Sequence, residues 1–348
     1  MIESSFGYAN HELRFASTRP KHLSCNRRSI KLTWSIPAYS PTYFCALAHP
    51  EYRAAPGALP NIATPPPRPL NSPHDRHHQP RLRHRPPPLA PGRWTTHAAQ
   101  AWRNPGGGLW GGYALGLCVR VLEVEPEAAG EALSMTLTYA AGLPAGDLDV
   151  RTRRLRQGGS IGVWEVELRP QSQDDVGVHG MVTLARRPAT PPFAFAAMPQ
   201  APAPEDLPSP DHPGGALHFG ASAFERRTLD GFPPKPGGDS RSLAWVRPRH
   251  GMWDKALLAM VTDNSAPRVM YALDRVMTTT LSLTVYLHAQ ADDLTALADD
   301  FILIECEGRV GGGGASDERS SYWSRDGRLL ATSEQLAWYR QRPPTSPE

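Results

Sequence analysis

Cysteine is scarce in this chain of 348 residues: Cys25, Cys45, Cys118 and Cys306 are all there is, and no two form a C-x-x-C pair. That spacing argues against a structural zinc site and for a reducing compartment, the cytoplasm. Long apolar runs are missing too. No aliphatic leader follows Met1, and the longest apolar stretch, around 113 to 122, is cut by Arg120. A secretory signal and a membrane span, which needs ~20 apolar residues, are therefore not expected. G-x-S-x-G is absent, and "QGGSIG" does not replace it, which excludes the usual serine-hydrolase elbow. Asp292, Asp293, Asp299 and Asp300 flank a predicted turn and read as solvated charges, not as a metal site. No metal and no cofactor is expected.

The composition is uneven along the chain. Residues 1–92 hold 16 of the 37 prolines and 7 of the 13 histidines, with 12 Lys/Arg against 4 Asp/Glu. The remainder is acidic, with 25 Lys/Arg against 30 Asp/Glu, so the overall charge of +3 describes neither part. The first segment shows neither strand nor helix periodicity and few aliphatic residues, so it cannot offset chain entropy by burial. It is expected to be a disordered, Pro/Arg/His-rich extension. A nucleic-acid arm, a metal tract at His74, His77, His78 and His84, and a transit peptide over 14–36 are weaker readings of it. No nucleic-acid partner is expected.

"NPGGGLWGGYALGLCVRVLE", residues 104–123, puts a glycine cluster ahead of an apolar helix pattern. Glycine turns that open helices can cradle phosphate, but no Lys-Ser or Lys-Thr follows and no small buried strand precedes. Around this stretch run a short strand ("RWTTHAAQAW"), the helix over 109–124, and four strands, from "EALSMTLTYAA" through "VGVHGMVTLARR". After a proline-rich linker the order returns: strands at "ALHFGASAFERRTL" and "RSLAWVRPR", a helix at "MWDKALLAMVTDN", then four strands ending in "RLLATSEQLAWYR". The first helix is apolar all round, so it must be buried all round. A curled antiparallel sheet around one helix satisfies this, and that arrangement is the hotdog fold.

Three stretches carry a resemblance: "NPGGGLWGGYALGLCVRVL", "TTTLSLTVYLHA" and "RDGRLLATSEQLAWYR". Together they resemble the double-hotdog acyl-CoA thioesterases of the thioesterase II type. The resemblance implies an α+β fold, a tandem double hotdog with one buried central helix in each unit. Its units would span 93–187 and 215–341, joined by a linker over 188–214. It further implies an acyl-CoA hydrolase of fatty acid metabolism, acting as a homodimer. The catalytic set it implies falls on Asp263 as general base, with Thr280 and Gln335 orienting the attacking water. The alternative is a catalytically silent double hotdog that binds acyl-CoA or another protein.

The residues fit that assignment. Strict alternation puts Thr280 on one strand face with Ser282, Thr284, Tyr286 and His288, opposite Leu281, Leu283, Val285 and Leu287. Gln335 sits among Leu330, Leu336 and Trp338, where an amide needs a partner. Asp263, near a helix C-terminus, faces the negative pole, which raises its basicity. Backbone N–H groups at a helix start are natural donors to the carbonyl oxygen. Arg247, Arg249, Lys255 and Arg268 around the second helix are candidate anchors for CoA phosphates. A hotdog dehydratase would need a His with an acidic partner near one helix, and His97 and His179 show no obvious partner in sequence.

Overall fold

The computed structural model of the chain describes residues 32–33, 92–104, 106–208 and 223–342. Nearly all of the extension expected to be disordered, with Cys25, Cys45 and the histidine tract, lies outside the described residues. What is described there is a two-residue strand, β1 (Leu32–Thr33), parallel to β2 (Arg93–Ala98).

In the first half β2 is followed by α1 (Gly111–Val124), β3 (Glu131–Tyr139), β4 (Gly146–Gln157), β5 (Ile161–Pro170) and β6 (Val178–Ala185). The second half holds β7 (Phe224–Asp230), β8 (Ser242–Pro248), α2 (Lys255–Val261), α3 (Val269–Ala272) and β9 (Val276–Leu287). It continues through α4 (Ala291–Leu297), β10 (Ile302–Glu307), β11 (Gly311–Gly312), β12 (Ala315–Ser324) and β13 (Leu329–Gln341). Two short helices, α3 and α4, were not expected. Of the four acids expected to flank a turn, two open α4: Asp293 accepts the Gln290 N–H at 2.8 Å in a capping box, with Asp292 beside it in the first turn, while Asp299 and Asp300 follow the helix.

The thirteen strands among the described residues form one sheet, ordered β1-β2-β4-β5-β6-β3-β9-β13-β12-β10-β8-β7 with β11 beside β12. The halves join where β3 pairs antiparallel with β9, from Ser134 opposite Tyr286 to Thr138 opposite Ser282. One core spans both halves. Tyr113, Leu115 and Val121 of α1 and Leu258, Met260 and Val261 of α2 meet Leu137, Leu168, Val182, Leu283 and Val285 from the strands. Each large apolar side chain buried there contributes roughly 1.5–3 kcal/mol.

Ten of the 14 residues of α1 are buried, which settles its all-round burial. Two of its glycines, Gly112 and Gly116, serve the neighbouring helix. A Cβ at Gly112 would lie 2.5 Å from the Met260 carbonyl oxygen, and one at Gly116 would lie 2.4 Å from Met260 Cγ. Only glycine lets α1 and α2 close to this distance.

Among its described residues, the proline-rich segment between the halves has no helix or strand beyond a 3-10 turn at Pro204–Asp206, yet these residues are docked. Met198, Ala201 and Leu207 pack against Trp245, Phe301, Leu303 and Trp323, and the Trp245 indole donates to Pro202 O at 2.9 Å.

Candidate active site

α2 is capped by Asp254, whose carboxylate accepts the Leu257 N–H at 2.9 Å, and ends at Val261. The chain then turns, and Asp263 lies two residues beyond the helix. Both its ends are held by the start of α1. The Gly112 N–H donates to Asp263 Oδ2 at 2.9 Å, and the Trp110 indole donates to the Asp263 carbonyl oxygen at 2.7 Å. The helix opening once compared with a phosphate cradle thus faces an anion, and the anion is a side chain of the other half. Of the backbone N–H groups at this helix start, the one on Gly112 is occupied by this carboxylate.

Thr280 reaches the same place by an irregularity. On β9 Ser282 pairs with Leu336 of β13, but the next pair is Thr280 with Ala337, so Leu281 is an extra residue. A bulge of this kind changes which face the following residues present. Thr280 therefore lies inward with Leu283 and Val285, not on the outer face with Ser282, Thr284 and Tyr286 as alternation predicted. Gln335, opposite Leu283 and also inward, donates its amide to Thr280 Oγ1 at 2.8 Å.

Asp263, Thr280 and Gln335 line one cleft of about 360 Å³. The first half contributes Leu109, Trp110, Ala114 and Leu143 to its lining, and the second contributes Ser265, Thr278 and Thr279. Burial raises the Asp263 carboxyl from its ordinary 3.8 to about 7, and the charge of Glu318 adds to this, while the Gly112 N–H works the other way. These causes, rather than the helix end inferred from sequence, account for its basicity. Glu318 is itself buried, 3.5 Å from Arg268 Nε. Tyr139, which also lines the cleft, donates its hydroxyl to Gly111 O at 3.0 Å; burial first, and Asp263 next, hold its pKa well above the ordinary value.

Other expected site residues lie elsewhere. None of Arg247, Arg249, Lys255 and Arg268 lines the cleft. Arg268 is buried on Ala266 O, Ser240 O and Ser242 Oγ, and Lys255 is buried against Glu131 at 3.2 Å. Arg247 pairs with Glu225 at 2.7 Å and lies over the Phe301 ring, and Arg249 is at the surface. His97 and His179 do have acidic partners, Asp147 and Glu165, each at 2.8 Å, but both pairs are at the surface and outside the cleft. His288 is likewise at the surface, 3.1 Å from Thr332 Oγ1. Among the described residues no group of three or more His, Cys, Asp or Glu side chains could hold a metal ion, and no helix is long and apolar enough to cross a membrane.

The sequence reading missed Trp110 and Tyr139 as cleft residues. Trp110 was visible only as part of an apolar helix start, because its bond to Asp263 spans 153 positions.

Residues 98–185 match the family model of the acyl-CoA thioesterase N-terminal domain, and residues 199–339 match that of the acyl-CoA thioesterase C-terminal domain. The chain belongs to the acyl-CoA thioesterase family. As an enzyme it is a thioester hydrolase. In this thioesterase the second match begins at 199, within the docked proline-rich segment. Similar solved structures have the same fold. A conserved hot dog fold protein of unknown function from Alicyclobacillus acidocaldarius is 22% identical with a TM-score of 0.66, covering 72% of this chain and 94% of that one. Acyl-CoA thioesterase II TesB2 from Mycobacterium marinum is 18% identical with a TM-score of 0.55, covering 73% and 95%. The tesB protein of Mycobacterium avium subs paratuberculosis is 17% identical with a TM-score of 0.57, covering 72% and 94%. No curated protein matches the sequence.

Proposed function

We propose that the chain hydrolyses acyl-CoA to the free acid and CoA with a water activated by Asp263 and held by Thr280 and Gln335. The observation that carries this is the meeting of the three side chains along one cleft, with the Asp263 carboxyl raised to about 7. A base of that strength is half ionised near neutrality, which suits removal of a proton from water. The water oxygen bonds to the thioester carbonyl carbon as its proton passes to Asp263. The tetrahedral intermediate then collapses with cleavage of the C–S bond, the thiolate of CoA leaves, and Asp263 returns the proton. A thiolate needs little acid assistance, which agrees with the single carboxyl in the set.

The same reading takes the architecture as a tandem double hotdog. The repeated order of strands and central helix, and the antiparallel packing partners α1 and α2 in one core, support it. It also includes a homodimer and a cytoplasmic setting. Exposed Met181, Tyr286, Leu336 and Trp338 on the outer side of the sheet support the first, and the buried free thiols of Cys118 and Cys306 support the second. The test is a panel of acyl-CoA thioesters of graded chain length, assayed by CoA release with wild type and Asp263→Ala. Hydrolysis lost in the variant is expected. A variant as active as wild type removes the assignment, and a wild type that binds but never hydrolyses leaves the silent binding module.

A further inference from the structure

We infer that Trp110 is a positioning residue for the reaction, fixing Asp263 from the opposite half of the chain; this rests on the reading of Asp263 as the base. α2 has seven residues and ends before Asp263, whose own link back to the helix is a long 3.3 Å bond from its N–H to Met260 O. The strong contacts come from α1. The Trp110 indole holds the Asp263 main chain at 2.7 Å, and Gly112, two residues on, holds the carboxylate at 2.9 Å. A residue bound at its backbone and at its side chain by one rigid helix start has its carboxylate direction set by that helix.

The indole itself is locked. Trp110 is 3% exposed, stacks on Trp102 with ring centroids 6.4 Å apart, and meets Phe224 edge-on at 6.2 Å. Phe224 in turn stacks on Trp253 at 5.8 Å, so aromatic rings from both halves fix the plane of the donor. Phenylalanine or leucine would fill a core position here equally well. The tryptophan adds an N–H aimed at the turn that carries the base.

The experiment replaces the N–H while keeping the ring. Trp110→Phe is one variant, and benzothienylalanine incorporated at position 110 is the second, which retains the indole shape without a donor and guards against a folding defect. Trp94→Phe is the control, because it too removes a buried indole N–H, the one donated to Glu125 at 3.0 Å, and neither residue lines the cleft. Both changes at 110 are expected to lower kcat about 10- to 100-fold with KM for acyl-CoA within about twofold. Trp94→Phe is expected to lower the melting temperature with kcat unchanged. Full kcat in the benzothienylalanine protein, or an equal loss in Trp94→Phe, overturns the inference. An Asp263→Asn arm separates the two readings: if it is fully active the base assignment falls, and if it is inactive beside an unimpaired 110 variant, only the role of Trp110 falls.

Discussion

Gln335 donates its side-chain amide to Thr280 Oγ1 at 2.8 Å, next to the point where β9 and β13 fall out of register. The bond occupies an acceptor site of the hydroxyl and leaves its hydrogen free to turn into the cleft. Thr280→Val, which keeps the shape, is therefore expected to lower kcat/KM about 10- to 100-fold, and Gln335→Ala by a similar factor. Because the two act as one unit, the double variant loses little more than either alone. Thr280→Ser retains most activity. Steady-state kinetics on one acyl-CoA decides the matter, and equal activity in Thr280→Val removes the hydroxyl from the mechanism.

The bulge at Leu281 makes a sharper distinction. Strict alternation gives Thr280 and Ser282 the same surroundings, whereas the observed pairing puts Ser282 opposite Leu336 and Thr138 on the outer face. Ser282→Ala is expected to leave kcat/KM within about twofold, as a surface substitution does. The bulge also marks what the sequence could not reveal. Through the resemblance, "MWDKALLAMVTDN", "TTTLSL" and "TSEQLAW" pointed to the three residues that share the cleft, and the run of elements that builds the sheet was legible too. An extra residue in one strand leaves no trace in hydrophobic alternation, so alternation puts Thr280 on the wrong face. The cationic residues failed for a related reason. Arg268 and Lys255 look like free charges in sequence, and only the fold shows them buried on carbonyl oxygens and carboxylates. Local pattern found the elements, while contacts between distant segments, Trp110 with Asp263 above all, required the fold.

The pH dependence follows from the raised carboxyl of Asp263. As a base it must be ionised, so kcat/KM is expected to rise with pH and to level off above about 7. Glu318 contributes to the shift through its charge, so Glu318→Gln moves the acid limb to lower pH. That variant also leaves Arg268 without its buried carboxylate, and a loss of stability accompanies the shift. A limb that stays in place when Glu318 is neutralised shows that burial alone sets the basicity of Asp263.

Stability carries the opposite sign. Between pH 3.8 and about 7 the folded chain holds on Asp263 a proton that the unfolded chain releases. Stability therefore falls as pH rises through that window and stays lower above it. Asp263→Asn keeps an acceptor for the Gly112 N–H and removes the buried charge. Its melting temperature is expected to exceed that of wild type at pH 8, by about 2–4 °C for each kcal/mol recovered, and to match it near pH 4. Thermal denaturation at the two pH values measures this. A variant less stable than wild type at pH 8 shows that the ionised carboxylate holds the turn more strongly than its burial opposes it.

Two adjacent glycines at the start of α1 separate the demands of chemistry from those of packing. A Cβ at Gly111 would lie 2.8 Å from Asp263 Oδ2 and 3.2 Å from the Tyr139 hydroxyl, both ends of side chains that can move. A Cβ at Gly112 would lie 2.5 Å from the Met260 carbonyl oxygen and 2.3 Å from the Trp110 ring, where the main chain of α2 cannot yield. In a helix, alanine is favoured over glycine by about 0.5–1 kcal/mol, which offsets part of the crowding in Gly111→Ala. That variant is expected to melt close to wild type while losing most of its kcat, because the carboxylate is pushed off its line. Gly112→Ala is expected to lose about 1–3 kcal/mol through overpacking at the helix seam. Melting curves and kcat measured side by side test the pair. A fully active Gly111→Ala shows that the carboxylate has room to shift, and that its position in the cleft is not what limits the rate.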